Sequence, residues 1–170
     1  MSKLKKIFSA VKLLLKKPSL LNILVESDER WDAELQKKHP KKTVLPIVDI
    51  DHLIPDFNET LNNFTYLGGG SLPTDIMLLK ALCRQIPNCS YFEIGTWRGE
   101  SVVNVAEVAK ECFTLNLSKQ DIANLGLPKK YADLHGLLSK GKKNITHLHG
   151  DSLFFDFHKL NKKFDVIFID

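Results

Sequence analysis

Hydrophobic positions in the second half of the chain come as four short runs, at 90–95, 112–117, 144–149 and 164–170, separated by stretches with helical spacing. Apolar runs of this length, alternating with helical segments, predict parallel strands joined by crossover helices. The helical stretches are 99–110, a broken one over 119–139, and a short turn near 157–160. The run at 164–170, Phe-Asp-Val-Ile-Phe-Ile-Asp, reads as a further buried parallel strand. Ahead of the first strand, Ile76, Leu79, Leu82 and Ile86 share one face of a helix. Ser71 or Thr74 can cap that helix, and Pro73 and Asp75 suit its first turn.

The first 42 residues have a different pattern. Leu4, Ile7, Phe8, Val11, Leu14 and Leu15 recur at helical spacing opposite Lys3, Lys5, Lys6, Lys12, Lys16 and Lys17. A basic amphipathic helix of this kind either lies on an anionic membrane surface or packs its stripe on the protein body. Lys12 interrupts the apolar run, which argues against a signal peptide. A second helix is expected from Pro18 to about Gln36, followed by the polar linker Lys37-Lys38-His39-Pro40-Lys41-Lys42. Residues 44–51 make an edge strand at best, because a proline interrupts them. Asp49, Asp51 and His52 are read as turn punctuation rather than metal ligands. The expected organisation is therefore an extension and linker over 1–42, a connecting segment and lead-in helix over 43–89, and an α/β domain from 90.

Charge sharpens this division. The net charge of +4 resides in the first 17 residues, without which 18 basic side chains face 20 acidic ones for a net of −2. The lysines at 140–143 and 159–163 are too scattered for a nucleic-acid footprint. The composition, 44% hydrophobic and 26% charged, is that of an ordinary globular domain. Cys83, Cys89 and Cys112 have no C-x-x-C spacing and suit a reducing, cytoplasmic setting as buried thiols. No segment reaches the roughly 20 apolar residues of a membrane span.

Candidate chemistry gathers at the strand ends, where open parallel sheets bind ligands. The first strand runs into Glu93-Ile94-Gly95-Thr96-Trp97-Arg98-Gly99, whose glycines allow unusual angles and close approach of backbone to ligand. Glu93 brings a negative charge for a cationic group, and the following helix offers its amides. Asn116 ends the second strand 21 residues after Gly95, near the spacing at which dinucleotide folds place a ribose-binding carboxylate. Gly150-Asp151-Ser152 follows the third strand, and Asp170 ends the fourth. Gly68-Gly69-Gly70 lacks the Gly-Lys-Ser/Thr ending of a phosphate loop and reads as a flexible lead-in or lid. His147 and His149 share a strand face and with Asp151 could imitate a metal site, although a solvent-facing strand end is the preferred reading.

The acidic-x-Gly-x-x-x-Gly loop, Gly150-Asp151-Ser152 and the fourth-strand Phe-Asp-Val-Ile-Phe-Ile-Asp together resemble the class I S-adenosylmethionine-dependent methyltransferases. The likeness is greatest to the small O-methyltransferase-like branch and covers about residues 68–170. It implies a Rossmann-like sheet, S-adenosyl-L-methionine (SAM) as cofactor, and methyl transfer to an oxygen or nitrogen of a small-molecule or glycan-type acceptor. By that resemblance Glu93, Gly95 and Gly99 hold the methionine part, Asn116 the ribose, and Asp151 with Ser152 the adenine. Asp170 lies at the methyl-transfer end, where some relatives use a divalent metal; no metal ligand is assigned here. Asn116 stands where the family usually carries Asp or Glu. The family adds three further strands, so a piece of a longer protein is expected.

Two other classes stay open. A nicotinamide-dependent oxidoreductase would need Gly-x-Gly-x-x-Gly, and Trp97 occupies the place of its second glycine. A membrane-surface or scaffold protein would use the lysine-rich helix and keep the nucleotide-binding domain as a remnant, peripheral at the inner membrane surface.

Overall fold

A computed structural model describes residues 3–18, 20, 28–40 and 47–170. Its contacts divide the chain into residues 1–48 and 49–170. The first unit carries helix α1 (Lys3–Lys16) and helix α2 (Asp28–Lys38). No residue of α1 is buried, and Leu4, Phe8 and Leu15 are each close to 80% exposed. The expected start of the second helix at Pro18 leads into residues outside those described, and residues 44–46 of the expected edge strand also lie outside them.

The second unit is an α/β domain. It opens with the short helix α3 (Ile50–Leu53), followed by α4 (Pro73–Gln85), β1 (Ser90–Ile94), α5 (Glu100–Val105) and β2 (Glu111–Asn116). Helices α6 (Lys119–Asn124) and α7 (Lys129–Leu134), β3 (Ile145–His149), a 3-10 turn (Phe157–Leu160) and β4 (Val166–Ile169) complete it. All pairings are parallel and the strand order is β3-β2-β1-β4. The chain therefore builds outward from β1 through β3, then returns to the other side of β1. That reversal is the topological switch of a Rossmann-like sheet.

Strand register sorts the side chains into two faces. Tyr91, Cys112 and Ile145 lie in line across β1, β2 and β3 and are buried with Leu79, Cys83, Val102 and Val105 from α4 and α5. The three cysteines belong to this layer, where desolvation pushes each thiol up, that of Cys112 to about 12. They are inert, as the spacing suggested. On the opposite face Phe92 and Phe113 pack against Phe164, and Phe92 also meets Phe157.

Three expectations need correction. Residues 47–49 form no strand, because the Asp49 side chain accepts from Asp51 N at 3.2 Å and starts α3 instead. β4 is parallel but not buried: it has one neighbour, and Ile167 and Ile169 are 60% and 73% exposed. Helix α4 is entered from Leu72 without a side-chain cap, since Ser71 donates to Asp170 Oδ1 at 2.9 Å.

Candidate functional site

The carboxyl ends of the strands meet at a set of adjoining clefts. One of about 340 Å³ is lined by Gly69, Gly95, Trp97, Asn116, Tyr131, His135 and Asp170. A second, of about 270 Å³, lies between Gly95, Leu115, Asn116, Leu125 and Gly150-Asp151-Ser152. A third, of about 450 Å³, opens under α6 and α7 and also reaches Asn116. Gly95, Asn116, Asp151, Ser152 and Asp170, drawn from four strand ends, thus share one region.

Gly95 has φ +102°, where only glycine is at ease. A Cβ there would come within 3.1 Å of the Asp170 carbonyl oxygen and 3.3 Å of its Cβ. Asp170 is tied to the same turn, its amide donating to Ile94 O at 3.0 Å. Asn116 borders all three clefts, and its Nδ2 is buried with no hydrogen-bond partner among the described residues. The indole Nε1 of Trp97 is likewise buried and unpartnered. Two donors therefore await an acceptor at the switch point, an arrangement costly to leave unfilled. Asp151 Oδ1 accepts from Leu153 N at 2.9 Å, which fixes the turn after β3.

Glu93 and Gly99 sit beneath this region rather than in it. Glu93 is fully buried, and its carboxyl accepts from Ser101 Oγ at 2.7 Å and from Tyr91 Oη and Thr114 Oγ1 at 2.9 Å each. Burial pushes its pKa up to about 7, against the pull of those hydroxyls. Three hydroxyls thus hold the carboxyl from within the protein, and Glu93 braces the loop from below. Gly99, with φ +85°, packs so closely on Ser139 that a Cβ would overlap the hydroxyl. Helix α5 is only six residues long, and its first residues, Glu100, Ser101 and Val102, are all buried.

The loop residues Trp97 and Arg98 divide their roles. Trp97 stacks on Tyr131 at 4.6 Å and meets His135 edge-on at 5.1 Å, forming an aromatic wall of the cleft. Arg98 turns inward, donating to Leu67 O at 2.8 Å, Gly68 O at 3.0 Å and Glu100 Oε2 at 3.0 Å. Its guanidinium pins the glycine run, which the sequence suggests is a flexible lead-in or lid. Asn104 continues this clamp, accepting from Asn62 N and donating to Asn63 O. These partners lie 30 to 42 residues away, beyond the reach of local spacing. His135 carried no sequence signal, being placed by the C-terminal cap of α7.

Among the described residues no group of three or more His, Cys, Asp or Glu side chains could hold a metal ion, and no helix is long and apolar enough to cross a membrane. No protein-family model and no curated protein matches the chain. Among solved structures, the chain is similar to an O-methyltransferase from Bacillus cereus in complex with SAH, at 20% identity and a TM-score of 0.38, over 83% of this chain and 60% of that one. It is also similar to a dimethyladenosine transferase from Plasmodium falciparum, at 21% identity and a TM-score of 0.39, over 58% of this chain and 32% of that one. A protein-L-isoaspartate O-methyltransferase matches at 18% identity and a TM-score of 0.37, over 59% of this chain and 29% of that one. The chain thus spans between about a third and three fifths of the length of these structures.

Proposed function

We propose that this domain binds S-adenosyl-L-methionine across the carboxyl ends of β1 to β3 and serves methyl transfer to an oxygen or nitrogen of a small-molecule or glycan-type acceptor. The carrying observation is the unpartnered Asn116 Nδ2 at the switch point, beside the positive-φ Gly95. The residues present fit the cofactor: Asn116 offers a donor to ribose hydroxyls, Gly95 gives a side-chain-free approach, and Asp151 with Ser152 offers polar atoms for an adenine. The cofactor would supply a sulfonium methyl, which is electrophilic without help from the protein.

What this chain contributes is orientation and exclusion of water. Trp97 and Tyr131 wall the cleft, while Glu93 and Arg98 fix the loop from below and behind. Asp170 is the candidate for holding or deprotonating the acceptor, since its carboxylate lies at the same cleft and Ser71 holds one of its oxygens. In an assay of labelled methyl transfer to hydroxyl and amine acceptors, Asp170→Asn should lose transfer and keep cofactor binding. Retained transfer would remove Asp170 from the mechanism.

A second reading concerns the first unit. The exposed apolar side chains of α1, opposite its lysines, favour peripheral contact with an anionic membrane.

A further inference from the structure

The 450 Å³ cavity under α6 and α7 is lined by Lys119, Lys140, His135, His147 and His149, and no Asp or Glu lines it. These basic residues come from α6, from the segment after α7 and from β3, in a domain whose remaining charge is mildly acidic. We propose that this cavity binds a phosphate-bearing ligand. Its volume lies in the range of small-molecule sites, enough for a phosphorylated sugar or nucleoside.

The groups are poised rather than used. Lys140 is exposed and has no ion pair among the described residues. Among the described residues Lys119 meets the exposed Asp133, at 3.2 Å, an interaction of little strength in water. His135 directs Nδ1 to the Tyr131 carbonyl at 2.9 Å, so Nδ1 carries the proton and Nε2 keeps its lone pair. His147 Nε2 shares a 3.3 Å contact with Ser139 Oγ. Burial first, then the charge of Lys140, joined at His147 by that of His149, holds both imidazoles toward the neutral form against the pull of their hydrogen bonds. A dianion in the cavity would reverse that balance and add charge-assisted hydrogen bonds. Asn116 borders this cavity and the cofactor cleft alike, so a ligand here would sit beside the bound cofactor.

The cofactor carries no phosphate. In the methyltransferase reading, on which this step alone rests, the cavity therefore recognises the acceptor, which would be a phosphate ester. Recognition of phosphate itself stands apart from that reading.

The test is a histidine-resolved NMR titration of the full chain with inorganic phosphate, then with glucose 6-phosphate, each with and without S-adenosylhomocysteine (SAH). Saturable shifts at His135 and His147 are expected, with both imidazole pKa values moving up. Lys140→Gln should weaken phosphate binding by about tenfold or more, as loss of a charge-assisted bond does. Lys143→Gln, outside the cavity, should leave it unchanged. Tighter binding of glucose 6-phosphate than of phosphate would support an ester ligand; equal binding would reduce the site to free phosphate and overturn the acceptor assignment. Absence of saturation, or equal weakening by both lysine variants, would overturn the site. Competition by SAH would assign it to the cofactor carboxylate and also overturn it. Phosphate binding without SAH binding would sink the cofactor reading and leave the site standing.

Discussion

Thr114 donates its hydroxyl to Glu93 at 2.9 Å across the β1–β2 register, so one buried carboxyl links two central strands. Burial raises the Glu93 carboxyl from 4.5 to about 7. A carboxyl raised in the folded state binds its proton more tightly there than in the unfolded chain. Its contribution to stability is therefore full below about 4.5, is lost as pH rises toward 7, and is flat above. The loss amounts to roughly 3 kcal/mol. Glu93→Gln has no such proton to lose. Urea unfolding at about pH 4.5 and about pH 7.5 should show wild type losing stability relative to the variant by that order; parallel profiles would contradict the burial argument.

Gly99 and Gly126 both have positive φ, but a Cβ at Gly126 would enter open space whereas one at Gly99 would strike Ser139. Gly126→Ala should cost about 1–2 kcal/mol through backbone strain alone. Gly99→Ala should cost roughly 1–3 kcal/mol more, because the crowding adds to the strain. Denaturant midpoints of the two variants decide this, and equal losses would show that the Ser139 contact yields freely.

Helix α1 offers a membrane test. Vesicles containing anionic lipid should co-sediment with the full chain and release it as salt rises, because the lysine face is screened. A chain lacking residues 1–17 should stay in the supernatant. Equal sedimentation of both forms would remove the peripheral-membrane reading.

The strands were legible to within about two residues because their apolar runs are bounded by glycine, charge and turn residues; the run at 112–117, for example, is the strand Glu111–Asn116. The turn at 157–160 was legible for the same reason. Of the site, Gly95, Asn116, Asp151, Ser152 and Asp170 could be found because a parallel sheet presents its strand ends together. Glu93 and Gly99 were legible as important but not in their direction. Which way a strand-end carboxyl faces depends on partners such as Ser101 and Thr114, and neither advertises itself in the local pattern. Arg98, Glu100 and Asn104 were illegible as a clamp, since their partners at 62–68 lie in a segment without hydrophobic periodicity. The basic cavity was hidden too, because its lysines and histidines come from three separate segments.

The most direct test of the central claim is a calorimetric titration of the full chain with SAH, beside Asn116→Ala. The account predicts saturable binding, weakened about tenfold in the variant through loss of one hydrogen bond made in the cleft. No saturable heat, or identical affinity for both proteins, would contradict a cofactor seated at Asn116.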